Sequence, residues 1–328
     1  MAAVVLALFG AAMQGTSRHP VSANGTLVDV QLVIAVDVSY SMDPDEQALQ
    51  REGYIAALTS REFLHALREG MHGKVAITYF EWAGPYDQKI VVPWRLIDGP
   101  EAADAVANEI ASAPYRRASR TSISGALIFA KPLFEDSSFK GLRRIVDVSG
   151  DGANNSGQPV TLARDDVVSG GITVNGLPIM LKRPNPFTMD IEKLDIYYED
   201  CVIGGPAAFV VPIRERAQFK EATRTKLLLE VAGRVPARIV VPAAAQAPRI
   251  SCTIGEQMWR ERWGNLWLTC RVGKGASRSL RVGTSARAPC PPLQMGPILP
   301  TLRFLSCELG DELQMGRIEE LIDWRDLH

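Results

Sequence analysis

Leu32-Val33-Ile34-Ala35-Val36 is an unbroken apolar run that stops at Asp37. So short a run reads as a strand buried on both faces, which is the mark of a parallel sheet covered by helices on either side. The flanking sequence keeps that alternation. Val28 to Val36 is a strand. Asp45 to Glu69 reads as one long helix, with Ala48, Leu49, Ile55, Ala56, Leu58, Phe63, Leu64 and Leu67 as its apolar stripe and Asp43-Pro44-Asp45 supplying cap residues. Lys74 to Trp82 and Lys89 to Trp94 are strands around the turn Gly84-Pro85-Tyr86-Asp87, a hairpin that makes one sheet edge antiparallel.

Helices are expected over Pro100 to Ser112, Ser122 to Phe134, Thr161 to Ser169, Ile191 to Tyr198 and Arg214 to Ala232. Strands are expected over Arg143 to Ser149, Ile172 to Gly176 and Ala208 to Val211. The expected fold is therefore α/β: a doubly wound, mostly parallel six-stranded sheet with one antiparallel edge strand, plus an irregular C-terminal tail.

The 328 residues divide by composition. Ala2 to Met13 is apolar and rich in small residues, and Val21-Ser22-Ala23 suits cleavage, so residues 1–23 read as a signal peptide that lacks a basic start. Residues 26–233 form the α/β domain, 234–250 an Ala/Pro-rich linker, and 251–328 a tail to which the sequence assigns no structure. A net charge of −1 gives no field for nucleic acid or an anionic membrane surface. No membrane span follows the N-terminal segment. The five cysteines, all from Cys201 onward, include no C-x-x-C pair, which argues against zinc. Cys201 and Cys252 are the preferred disulfide pair because both lie near ordered-looking sequence. An export signal permits such a bridge.

Ligands of an open α/β sheet bind outside the carboxyl ends of its parallel strands. Three loops reach that edge. Asp37-Val38-Ser39-Tyr40-Ser41 is an Asp-x-Ser-x-Ser triplet leaving the first strand. Arg120-Thr121-Ser122 precedes a helix, and Ser149-Gly150-Asp151-Gly152 leaves the strand Ile145 to Val148. Two carboxylates and three hydroxyls are hard oxygen donors, suited to Mg²⁺, Mn²⁺ or Ca²⁺ and poorly suited to soft metals.

Asp-x-Ser-x-Ser, a distant Thr and an Asp followed by Gly together resemble a von Willebrand factor type A (VWA) domain with a metal-ion-dependent adhesion site. The resemblance spans about residues 28 to 232. The stretches Val148 to Asn155 and Tyr197 to Pro206 are similar to an uncharacterised, mostly bacterial group of exported VWA-like proteins. The resemblance implies the metal ligands Asp37, Ser39, Ser41, Thr121 and Asp151. It implies a divalent cation, most simply Mg²⁺ with Mn²⁺ or Ca²⁺ as alternatives, and an open coordination position for an acidic side chain of a protein or peptide partner. The expected function is a periplasmic or secreted, cation-dependent binding module rather than an enzyme. A helix shift on binding would involve Glu215 to Ala232.

Structural readings stand beside each assignment. Ser39 and Ser41 could cap the following helix, with Asp37 in a turn hydrogen bond. Thr121 could be a helix N-cap, and Asp151 a plain turn residue. Asp43 is a cap or a supporting residue, and Asp147 faces a local donor. Asn154 and Asn155 serve loop structure, while Tyr40 and Trp82 pack in the core. The Arg116-Arg117 to Arg120 cluster is a solvated loop or an attractor for acidic partners. None of the four histidines has ligand spacing.

Two other function classes compete. One is a VWA-type subunit of an assembly with a metal-inserting or chaperone-like ATPase. The other is a metal-dependent hydrolase. Ser39 stands where a haloacid-dehalogenase-type phosphatase needs its second Asp, and neither a G-x-S-x-G elbow nor a phosphate loop is present.

Overall fold

In the computed structural model the chain crosses the sheet in the order β3-β2-β1-β4-β5, with β1 at the centre. The structure describes residues 25–182, 189–233 and 247–263. The strands are β1 (Thr26–Asp37), β2 (Val75–Trp82), β3 (Gln88–Ile97), β4 (Phe139–Gly150) and β5 (Thr173–Pro178). Parallel ladders join β1 to β2, β1 to β4 and β4 to β5, while β3 runs antiparallel to β2. Pro93 lies inside β3, where an edge strand tolerates its missing N–H.

Side chains alternate between the two faces of the central strands. Leu32, Ile34 and Val36 of β1 join Ile77 and Tyr79 in one core. Helices α1 (Pro44–Leu58), α2 (Arg61–Arg68), α3 (Pro100–Ser112) and α7 (Phe219–Ala232) cover that face. Val33 and Ala35 join Phe80, Val146 and Val148 in the other. Helices α4 (Ile123–Glu135), α5 (Val160–Ser169) and α6 (Leu194–Tyr197) cover it. Each fully buried Leu, Ile or Phe in these layers contributes roughly 1.5–3 kcal/mol of burial free energy.

The sheet has five strands where six were expected. Residues 208–213 lie alongside β5 through two isolated parallel bridges, Gly176 with Val210 and Ile179 with Ile213. Val211 and Ile213 donate to the Gly176 and Pro178 carbonyls, but Pro178 has no N–H to return to Val211, so no continuous ladder forms.

The long helix expected over 45–69 is two helices. The chain turns at Thr59, and Ser60 caps α2 by accepting from the Phe63 N–H at 3.1 Å. α1 starts in a capping box. Asp43 accepts from the Glu46 N–H at 2.8 Å, and Glu46 accepts from the Asp43 N–H at 3.0 Å. The helix expected over 191–198 is the single turn α6, continued by a π turn over Tyr198–Val202. α7 begins at Phe219, after a 3₁₀ turn at Arg216–Gln218.

The disulfide Cys201–Cys252 forms as expected. It fastens α8 (Ile254–Trp263), so the start of the tail is a helix rather than irregular chain. The described residues up to Arg262 belong to one compact unit. The expected signal peptide, most of the linker and the tail beyond Trp263 lie outside the described residues. No described helix is long and apolar enough to cross a membrane.

Candidate functional site

The crossover from β1 runs one way along the sheet and the crossover from β4 runs the other way, over the opposite face. The crevice between their carboxyl ends is the topological switch point, where an open α/β sheet takes ligands. Asp37 ends β1, and Asp151 follows β4 directly.

The five residues singled out in the sequence meet there. Ser39 and Ser41 share a hydrogen bond between their hydroxyls at 2.7 Å, and Ser41 donates to Asp151 Oδ1 at 2.6 Å. Thr121 Oγ1 lies 3.4 Å from Ser39 Oγ, a contact rather than a strong bond. Asp37 Oδ1 accepts from the Ser39 N–H at 2.7 Å. Asp37 Oδ2 is buried and has no hydrogen-bond partner among the described residues. Asp37, Ser39, Thr121 and Asp151 are buried, and Ser41 is half-buried.

The local chain explains this convergence. The Val38 N–H donates to the Trp82 carbonyl at 2.9 Å, and the Tyr40 N–H to that of Ala118 at 2.9 Å, so the β1 loop is tied to two neighbours. Gly150 lets β4 approach Asp37, since a Cβ there would stand 2.7 Å from Asp37 Oδ2. Thr121 is held from both sides of its peptide. Its N–H donates to Asn155 Oδ1 at 3.0 Å, and its carbonyl accepts from the Asn155 N–H at 2.8 Å. Arg120, just before it, sits in the left-handed region at φ 74° and stacks on Trp259 of α8 at 3.4 Å.

Several structural alternatives are now decided. Asp43, not Ser39 or Ser41, caps α1. Ser122, not Thr121, caps α4, accepting from the Gly125 N–H at 3.1 Å. Trp82 is core, as expected, but Tyr40 is 60 % exposed. Its ring lies under the Arg117 guanidinium at 5.4 Å. Asn154 accepts from the Ser124 N–H at 2.9 Å and donates to Glu256 of α8 at 2.7 Å, a role in loop structure. Arg116 is engaged by Glu81 and Asp87. Asp147 lies away from the site and pairs with Lys226.

Two groups at the site carried no sequence signal. Lys182 lies beyond β5, and its ammonium is 3.1 Å from Asp151 Oδ2. It also bonds the Ser41 carbonyl and pairs with the buried Glu46. No spacing rule joins residue 182 to residues 41 and 46; only the sheet order does.

The electrostatics follow from burial. Desolvation, then the negative charge of Asp151, pushes the Asp37 carboxyl well above its usual range. Desolvation raises Asp151 to about 6, against the opposing pull of Lys182 and Ser41. Two buried carboxylates resist ionising together, and a dication beside them removes that conflict. Among the described residues no three His, Cys, Asp or Glu side chains cluster as a metal set, so any cation here depends on hydroxyl oxygens. The donors present, with one buried carboxylate oxygen unpartnered, fit a hard cation such as Mg²⁺ or Mn²⁺.

A family described as "Protein of unknown function (DUF1194)" matches residues 27–235. No curated protein matches the chain. Several solved structures are similar to it. Proximal thread matrix protein 1 (PTMP1) from the mussel byssus is 15% identical over 63% of this chain and 49% of its own, with a TM-score of 0.46. A von Willebrand factor type A structure from Catenulispora acidiphila is 15% identical over 62% of this chain and 43% of its own, with a TM-score of 0.43. The mussel protein is also solved "with zinc occupied MIDAS motif", at 16% identity, 63% and 49% coverage, and a TM-score of 0.42. This chain spans less than half the length of each of these solved chains.

Proposed function

We propose that the chain, which belongs to the DUF1194 family, is a divalent-cation-dependent binding module that captures a protein or peptide carboxylate. One observation carries the reading. Asp37, Ser39, Ser41, Thr121 and Asp151 bring hard oxygens from three loops together at the switch point, and one buried oxygen of Asp37 has no partner. These five residues would hold the cation, and Mg²⁺ is the simplest choice, with Mn²⁺ or Ca²⁺ next. When bound, the cation would supply a Lewis-acidic centre able to accept a carboxylate oxygen from a partner.

The chain's own residues supply the rest. Asp37 and Asp151 carry the balancing charge. The Ser39-Ser41-Asp151 chain of hydrogen bonds sets the hydroxyls before a ligand arrives, which lowers the ordering cost of binding. Exposed Tyr40 and the Arg117 guanidinium stacked on it flank the site, offering an aromatic surface and a positive charge to an acidic partner. On this reading the protein binds rather than catalyses, and the serine hydroxyls serve as ligands of the cation. The Cys201–Cys252 bridge supports an oxidising location, periplasmic or secreted.

Calorimetric titration of the full chain with Mg²⁺ and Mn²⁺, beside Asp37→Asn, tests the reading. Saturable binding that the substitution removes is the expected result. Equal binding by both proteins would refute the assignment of the site.

A further inference from the structure

Lys182 presents its ammonium to three oxygens: Asp151 Oδ2 at 3.1 Å, a carboxylate oxygen of Glu46, and the carbonyl of Ser41. Two of these three residues belong to the proposed cation site. We propose that Lys182 is a tethered cation that competes with the divalent metal for Asp151 and so gates the site from within the chain. The inference rests on the metal reading above and deepens it.

Three features support a gate rather than a fixed structural clip. First, an ammonium and a dication that share one carboxylate repel each other, and at this range in a partly buried site that repulsion is several times its value in water. Second, the ammonium has another partner when it leaves Asp151. Glu46 is 1% exposed and is fixed by the α1 capping box, where its Oε2 also accepts from the Asp43 N–H. Lys182 can shift its weight onto Glu46 without an uncompensated charge being left behind. Third, there is room for the movement. The Lys182 side chain is 30% exposed and forms part of the wall of a cleft of about 540 Å³ that Ile179, Met180, Ile191 and Leu194 also line.

Charge sets the direction of the effect. Asp151 feels the negative charge of both Asp37 and Glu46, and Lys182 offsets the charge of Asp151 and Glu46. Removing the ammonium leaves Asp151 with its Ser41 bond and no resident cation, so an added dication meets more negative charge and no competitor.

Titration of the full chain with Mn²⁺ at fixed ionic strength, comparing wild type, Lys182→Met and Asp37→Asn, tests the gate. The expected result is that Lys182→Met binds Mn²⁺ about tenfold more tightly or better, a gain of about 1.4 kcal/mol. Asp37→Asn should lose the binding. If Lys182→Met does not fold, Lys182→Gln keeps a donor for the Ser41 carbonyl, loses the charge and gives the same readout. Wild-type binding that depends on Asp37 but is not tightened by either Lys182 variant would overturn the gate and leave the metal reading standing. No Mn²⁺ binding by any folded variant, the Lys182 variants included, would overturn the metal reading itself and the gate with it.

Discussion

The hydroxyl of Ser41 donates to Asp151 Oδ1 at 2.6 Å across 110 positions of sequence. That bond spans the crevice between the ends of β1 and β4, so the two halves of the site are joined by the chain's own chemistry. It also spends one Asp151 oxygen on Ser41 while Lys182 engages the other. The candidate site is thus ordered by contacts that the proposed cation would partly replace.

Asp37 is held in the fold at a cost to stability. Its carboxylate is fully buried beside Asp151, and burial is the larger reason its ionised form is disfavoured. Asp37→Asn keeps an oxygen for the Ser39 N–H and removes the charge. In EDTA at pH 7 the variant should be more stable than wild type, while Mn²⁺ binding falls at least about a hundredfold. Thermal unfolding with and without Mn²⁺ reads both effects. A variant that is less stable in EDTA would mean that the buried charge is not the penalty inferred here.

A second buried cluster predicts a pH dependence away from the site. Lys226 of α7 is fully buried against Asp147 and Glu230, one ammonium facing two carboxylates. Tyr54 adds a hydrogen bond to Asp147 at 3.1 Å, and Asn175 one to Glu230 at 3.0 Å. Burial, then the charge of Asp147, raises the Glu230 carboxyl from 4.5 to about 7. A folded-state pKa above the unfolded one means that the folded protein holds the extra proton between those values. The Glu230 contribution to stability is therefore full below about pH 4.5 and is lost as pH rises to and through 7, by roughly 3 kcal/mol. Glu230→Gln should flatten this slope in urea unfolding compared at pH 5 and pH 8. The same slope in both proteins would assign the proton elsewhere.

Much of this architecture was readable from the chain because local signals and tertiary demands agree. The run Leu32 to Val36 is apolar since β1 is central and covered on both faces. The Asp-x-Ser-x-Ser loop leaves it at the edge where such sheets bind ligands. Thr121 and Asp151 stand out by type and order along the chain, and the fold brings both beside the Asp-x-Ser-x-Ser loop. What failed has physical causes. Ser60 breaks the long helix through a cap bond that an apolar stripe does not register. Pro178 lacks the N–H that would close the sixth ladder. Lys182 and Glu46 were missed because their meeting depends on where β5 lies beside β4, and periodicity contains no such information.

The Cys201–Cys252 bridge closes a sequence separation of 51 residues and fixes α8 beside Asn154. Replacing both cysteines with serine should cost about 2–4 kcal/mol of stability, mostly by freeing the unfolded chain. It should also loosen the contact of α8 with the Asn154 loop, where Gly255 packs so closely that a Cβ would stand 2.1 Å from the Asn154 carbonyl oxygen. Limited proteolysis within 247–263 should then proceed faster in the double variant. Cleavage at an unchanged rate would show that packing alone secures the helix.

Asn155 offers a test of how far the proposed cation site depends on a residue outside its five proposed ligands. Thr121 follows Arg120, whose backbone at φ 74° is strained for a side chain of that size, so the Thr121 position needs outside support. Asn155 gives it, through Oδ1 to the Thr121 N–H and through its own N–H to the Thr121 carbonyl. Asn155→Ala deletes the first bond and spares the second. The expected cost is about 1 kcal/mol of stability, with Mn²⁺ affinity reduced roughly three- to tenfold as Thr121 Oγ1 loses its fixed place. Asn155→Asp retains an acceptor for the same N–H and should restore most of the affinity. If the Asp variant fails to rescue while both proteins fold, the side-chain bond is not what holds Thr121, and the backbone pairing with Asn155 is sufficient.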